Sequence, residues 1–203
     1  MAWHARLKLD YRAEPASAGG TGTRLDFRHE GPLRVLKSLF PEGPEVCHSV
    51  IVHPPGAEML GWDCTALGLP AADAPFVAGD YRHDIAVGPR WLERGRTAAS
   101  DRVLLDGPCG WAGHRTLGTL WFAAGTALSD ARRDTLLDAA REIAGGHALA
   151  ATAGATAPQP DVVVLRALAP RVEPIHDLLT SVWRTWRALA WAREACVPRV
   201  WRT

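Results

Sequence analysis

The spacing of apolar residues changes from two to three-and-a-half along this chain, and that change limits the folds open to it. At the start, Trp3, Ala5, Leu7, Leu9 and Tyr11 fall on one side of a period of two, with His4, Arg6, Lys8 and Asp10 on the other. Such alternation predicts a half-buried strand. Glu14 to Gly22 is rich in Ala, Gly, Ser and Pro and reads as a loop. Leu25 and Phe27 restart the alternation, Leu33–Phe40 continues it, and Val46–His53 carries Val50, Ile51 and Val52. The breaks between these runs are Gly31-Pro32, Pro41-Glu42-Gly43-Pro44 and Pro54-Pro55-Gly56, so antiparallel hairpins or a meander follow.

From Gly61 to Gly113 the pattern weakens, leaving short candidate strands at Asp80–Val87 and Arg102–Leu105. Beyond it, strand and helix signals alternate. Thr116–Ala123, Ala148–Thr152 and Val162–Leu168 read as strands. Ser129 is placed to cap a helix carrying Leu136, Leu137, Ala140 and Ile143, stopped by Gly145-Gly146. A second helix starts near Pro174. Its apolar face is Ile175, Leu178, Leu179, Val182, Trp183, Trp186, Leu189 and Ala190, with Asp177, Arg184 and Arg187 opposite. The expectation is a β-rich α+β chain, mainly β with C-terminal helices, two of them in the last third. It is read as one domain over 1–203, β-rich over 1–113 and mixed strand and helix over 114–203.

Composition narrows the function classes. The 203 residues, 47% hydrophobic and 22% charged, are globular in character, enough for one domain or two small ones. The formal net charge of +1, from 23 basic and 22 acidic residues, argues against a nucleic-acid backbone or an anionic membrane as main partner. No stretch has the length and apolarity of a membrane span, and the opening residues lack a signal-peptide core. Cys47, Cys64, Cys109 and Cys196 are scattered without CxxC spacing. A reduced, cytoplasmic setting is expected.

No nucleophile elbow, phosphate loop or H-E-x-x-H motif occurs. Gly107, Gly110 and Gly113 are evenly spaced, but Pro108, Cys109 and Trp111 between them make a loop rather than a phosphate cradle. The metal-like constellation is Cys47-His48 with His53, whose thiolate and imidazole chemistry suits nickel, copper or zinc. On one extended strand Cys47 and His53 share a face about 20 Å apart, so a closed site needs ligands from elsewhere. A buried cysteine acting as a small hydrophobe, with histidines bonded at a turn, is the competing account. Trp191 falls among the charges of the last helix, beside Arg184 and Arg187, and this trio is the candidate partner-binding surface. The simpler alternative is that the chain turns there and covers Trp191.

One string decides the reading: Gly31 to Gly56, GPLRVLKSLFPEGPEVCHSVIVHPPG. It resembles the urease accessory family called UreD, or UreH in some organisms, through Gly31-Pro32-Leu33, Val35, Lys37, Leu39-Phe40-Pro41-Glu42-Gly43, Cys47-His48 and His53-Pro54-Pro55-Gly56. Trp3, Ala5, Leu7 and Leu9, and at the other end Leu165-Arg166, Trp183, Pro198-Arg199-Val200-Trp201 and Thr203, extend the resemblance. The chain departs from the family where Ala57 replaces a glycine and Gly61-Trp62-Asp63 arrives out of register. The family's middle section has no counterpart, and from Leu67 the chain passes almost directly to segments resembling later strands, near Phe76–Gly79 and Asp101–Gly107. The resemblance implies stacked antiparallel or mixed sheets. It also implies a non-enzymatic maturation scaffold that binds apo-urease, UreF and UreG and through which nickel passes without being tightly held. Cys47, His48 and His53 are the residues expected to handle nickel. A diverged protein-binding module that has lost nickel insertion is the alternative.

Overall fold

The computed structural model describes residues 12–15, 23–28, 34–39, 48–52, 58–68, 73, 75–87 and 91–194. The strand expected at Trp3–Tyr11 and the closing Pro198–Thr203 string lie outside them. Among the described residues ten strands and three helices occur in the order β1 (Arg12–Pro15), β2 (Thr23–Arg28), β3 (Arg34–Leu39), β4 (His48–Val52), β5 (Met59–Ala66), β6 (Asp80–Val87), β7 (Trp91–Ala98), α1 (Arg102–Asp106), β8 (Thr116–Ala123), α2 (Asp130–Gly145), β9 (Ala153–Gln159), β10 (Val162–Ala169) and α3 (Val172–Trp191).

The strands form two sheets. A six-stranded sheet runs β1-β2-β3-β4-β6-β7, and a four-stranded sheet runs β5-β8-β10-β9. Among the described residues all pairs are antiparallel except β4 with β6, joined in parallel at Ile51 and Val87. That one parallel pair follows from β5, which leaves for the other sheet, so the chain returns to β6 by a crossover rather than a hairpin.

The four-stranded sheet is the middle layer. One face of it packs on α2 and α3: Leu120, Phe122, Val163, Leu165 and Ala167 join Leu136, Ala140, Ile175, Leu178, Leu179, Val182 and Trp186 in the main core. Gly118 lets α3 approach, because a Cβ there would stand 2.2 Å from Ile175 Cγ2. Trp186 is fully buried, and its indole N–H donates to the Leu136 carbonyl at 2.8 Å, so the polar edge of the ring is satisfied. The other face meets β6 and β7 of the six-stranded sheet. There Met59, Trp91, Trp121, Ala123, Val162 and Val164 form a second cluster, with the Trp91 and Trp121 ring centroids 6.1 Å apart. A third gathers Leu67, Leu105 and Trp111 with Tyr81, Leu117 and Leu168. The result is helices, sheet and sheet in three layers, a β-rich α+β fold with stacked sheets and two long C-terminal helices.

Three local expectations are corrected. Arg102–Leu105 is helical, because Asp101 accepts from the Leu104 N–H at 3.0 Å and nucleates a turn. Ala148–Thr152 forms turns, and the strand begins only at Ala153. That strand, β9, lies at the sheet edge, where Pro158 is tolerated. On α3, Leu189 is 46% exposed, because in the last turn the packed side passes to Ala190 and Trp191.

Candidate functional site

Strand alternation puts Asp63, Thr119 and Arg166 on the face of the middle sheet that looks toward β6 and β7. Register places them side by side, Asp63 opposite Thr119 and Thr119 opposite Arg166. The neighbouring row on one side is Gly61, Trp121 and Val164, and on the other Thr65, Leu117 and Leu168. A polar row therefore crosses the space between the sheets, bounded by the two smaller apolar clusters.

The opposing sheet answers it with polar groups. Glu93 on β7 accepts from Arg166 Nη2. Tyr81 on β6 shares a 2.9 Å hydrogen bond with Thr65 Oγ1, and Thr65 Oγ1 donates to Asp63 Oδ2 at 3.3 Å. Thr119 is 2% exposed, and the side chains of Glu93 and Arg166 are 18% and 40% exposed, so the layer grades from dry to wet. Burial raises the Tyr81 phenol well above its ordinary pKa, the charges of Asp63 and Glu93 push the same way, and the hydrogen bond shared with Thr65 partly opposes them. Both carboxylates thus act on one phenol. Cys64, next in sequence to Asp63, faces the helices instead, and burial, then the Asp63 charge, pushes its thiol up to about 12. It stays protonated at neutral pH and offers no thiolate.

This layer holds oxygen donors: two carboxylates, two threonine hydroxyls and a phenol. Among the described residues no three His, Cys, Asp or Glu side chains gather as a closed metal site. What the arrangement provides is a charged and hydroxylated seam.

Of the residues singled out from sequence, only some fall among the described ones. Cys47 and His53 lie outside the described residues, and His48 opens β4 opposite Ser38, with only its backbone described. On α3, Arg184 is exposed, while the Arg187 guanidinium lies 5.1 Å from the Trp183 ring and 5.9 Å from that of Trp191. The Trp191 indole N–H donates to Glu58 Oε2 at 2.7 Å, and its ring lies 6.1 Å from Phe122. Arg132 grips the same Glu58 with both Nη atoms, at 2.5 and 2.9 Å, and reaches the Ala190 carbonyl at 3.0 Å. Trp191 is thereby tied inward, and its outer edge lies beside Arg187.

Sequence reading does not single out Asp63 or Glu93 for chemistry, because β5 and β7 do not read as strands, nor Tyr81 on β6, whose partner Thr65 lies on β5. The available signal was the alternation in Met59, Gly61, Asp63 and Thr65, where an apolar face turns polar part-way along.

Against known protein families, the model of the UreD urease accessory protein matches residues 4–57 and 55–202. The chain belongs to the UreD urease accessory protein family. Curated UreD urease accessory proteins of Leptothrix cholodnii and Variovorax paradoxus are each 38% identical over 281 positions, covering all of this chain and all of theirs. That of Paracidovorax citrulli is 38% identical over 279 positions, with 99% of each chain covered. An alignment of 281 positions against 203 residues leaves 78 that this UreD chain does not fill. The family match itself divides at residues 55–57, inside the His53-Pro54-Pro55-Gly56-Ala57 string and ahead of β5 in sequence. Gly61-Trp62-Asp63 belongs to the second matched piece. Among the described residues no helix is long and apolar enough to cross a membrane.

Proposed function

We propose that this chain is a non-enzymatic urease maturation factor, a cytoplasmic scaffold that binds apo-urease and the accessory proteins UreF and UreG and helps nickel reach the urease active site. The observation that carries the reading is the polar row of Asp63, Thr119 and Arg166, faced by Glu93 and Tyr81 and bounded by apolar clusters, in a chain of this family. A divalent ion in transit needs partners weak enough to release it. Carboxylate and hydroxyl oxygens hold nickel less firmly than thiolate and imidazole do, so a seam of oxygens suits passage and a cage of Cys and His suits retention. Nickel is the cargo here, with Cys47, His48 and His53 the proposed points of first capture. Arg184, Arg187 and the outer edge of Trp191 form the proposed docking surface for a protein partner.

The test is co-expression of the chain with urease and the other accessory proteins, followed by nickel per urease active site. Asp63→Asn and Glu93→Gln should each lower loading at least severalfold while folding is retained. Full loading with both variants folded overturns the oxygen-seam route. Ala replacements of Cys47, His48 and His53 test the capture step in the same assay.

The second reading, a protein-binding module that no longer inserts nickel, draws on the 78 unfilled positions of the relatives. It predicts that the chain co-purifies with its partners while urease loading is the same without it.

A further inference from the structure

We propose that the Arg187 guanidinium, stacked against Trp183 and Trp191, is a carboxylate receptor, and that the partner seated on this face of α3 offers it an acidic segment. The inference rests on the docking surface proposed above and names the chemistry of its occupant. Arg187, Ala188 and Trp191 follow Arg184 at helical spacing, so the four share one stripe of α3. Arg184 and Ala188 are exposed on it, and Arg187 and Trp191 are half-buried.

Three features set Arg187 apart from an ordinary surface arginine. Its guanidinium carbon lies 5.1 Å from the Trp183 ring centroid and 5.9 Å from that of Trp191, one turn to either side, within cation–π reach of both. Among the described residues it has no ion pair and no side-chain hydrogen bond, and its Nε is buried without an acceptor. The platform is itself fixed, because the Trp191 indole N–H donates to Glu58 Oε2 at 2.7 Å. Stacking thus holds the plane of the fork while the end carrying the two Nη atoms is left for an acceptor. A ligand need not order a guanidinium placed in this way.

The local charge says what that acceptor is. The carboxylate nearby, Glu58, is engaged by both Nη atoms of Arg132 and by Trp191. Arg184 and Arg193 are exposed and, among the described residues, form no ion pair. Asp177, two turns before Arg184, stands beside His176 at 3.9 Å, and Glu194 pairs with none of the three arginines. The sequence over 195–203 adds Arg199 and Arg202 and no Asp or Glu. Cationic groups without a counter-charge suit a partner that brings one: an Asp or Glu side chain on the Nη fork of Arg187, with neighbouring carboxylates for Arg184 and Arg193. Indole and guanidinium are also the groups that anchor protein interfaces. A phosphate backbone fits less well, since a chain of net charge +1 lacks the basic excess that such a ligand rewards.

The probe is a fluorescein-labelled peptide of alternating Glu and Ala, about ten residues long, titrated by anisotropy into the full chain at low ionic strength. A Gln-Ala peptide and a thymidine oligonucleotide of the same length run beside it. The Glu peptide should bind, and Arg187→Gln should weaken it about tenfold, the scale of a lost charge-assisted contact. Arg184→Gln, whose side chain is exposed and unstacked, should weaken it only about two- to threefold. Arg187→Lys keeps the charge without the fork or the flat stacking surface, and should lie nearer Arg187→Gln than the parent. The proposal is overturned if the Glu peptide binds no better than the Gln peptide, or if Arg187→Lys binds it as the parent does, which would make the face merely basic. Tighter binding of the oligonucleotide than of the Glu peptide overturns it as well. Should Arg187→Gln fail to fold, Arg187→Lys decides alone. Failure of the underlying reading looks different: urease co-expressed without the chain would load nickel fully, whatever the peptide affinities.

Discussion

At the scale of single residues, two positions show how little slack the middle layer has. Gly118 sits where α3 crosses β8, and any Cβ there meets Ile175 Cγ2 at 2.2 Å. Gly118→Ala should therefore cost about 1–3 kcal/mol, the usual range for overfilling a packed core, read as a lower urea midpoint at unchanged slope. Gly154→Ala is the control, since nothing lies within 4 Å of the added atom, and it should shift the midpoint far less. An equal loss at both sites would mean that close helix approach is not what Gly118 provides. Cys64 supplies a pH dependence whose sign follows from linkage. Its folded thiol is pushed up to about 12 from 9.0, so above pH 9 the unfolded chain loses a proton that the folded chain keeps. Stability is intact below pH 9 and should fall by roughly 1–3 kcal/mol between pH 9 and 12. Tyr81 adds to the loss above pH 10, its phenol being raised in the same direction. Cys64→Ala should flatten the lower part of that decline, and an unchanged slope in denaturant titrations would remove Cys64 as its source.

At the scale of elements, Glu58 acts as a clasp between three of them. It lies just before β5, receives both Nη atoms of Arg132 in the first turn of α2, and accepts from Trp191 in the last turn of α3. The ion pair is partly exposed, which discounts it, but the added indole bond and the Arg132 bond to the Ala190 carbonyl make a network of it. Glu58→Gln should cost about 1–2 kcal/mol, and a double-mutant cycle with Trp191→Phe should show coupling above about 0.5 kcal/mol. Additive losses would show that the clasp is two independent contacts. The same elements explain what could be read in advance. β6 and β8 were legible to the residue, and α2 from its Ser129 cap to Gly146, because period and punctuation coincide there. β5 and β7 were not legible. Each carries a glycine and a charge where alternation would want an apolar residue, Gly61 and Asp63 in one, Glu93 and Gly95 in the other. Those charges belong to the candidate site, so the feature that hid the strands is the one that places the site on them.

For the molecule as a whole, the two faces of the middle sheet differ in how they are held. The helix side is a continuous apolar core around Trp186, Phe122 and Leu165. The sheet side is held by smaller clusters with a polar row between them, and Trp91 is the aromatic that reaches from β7 to Trp121. Replacing a buried tryptophan with alanine typically costs about 3–5 kcal/mol, and here that loss falls on one interface. In Trp91→Ala, amides of β6 and β7 should lose hydrogen-exchange protection first, while β8 and β10, pinned by the helices, should open only with global unfolding. The Glu93–Arg166 and Thr65–Tyr81 bonds would then come under solvent, where they are worth less. Uniform loss of protection across both sheets would show instead that the layers unfold as one cooperative unit. Under the proposed ion route, separable opening would have a functional meaning: a layer able to part from a rigid helix-backed sheet would let an ion enter between them without disturbing the core that holds the chain together.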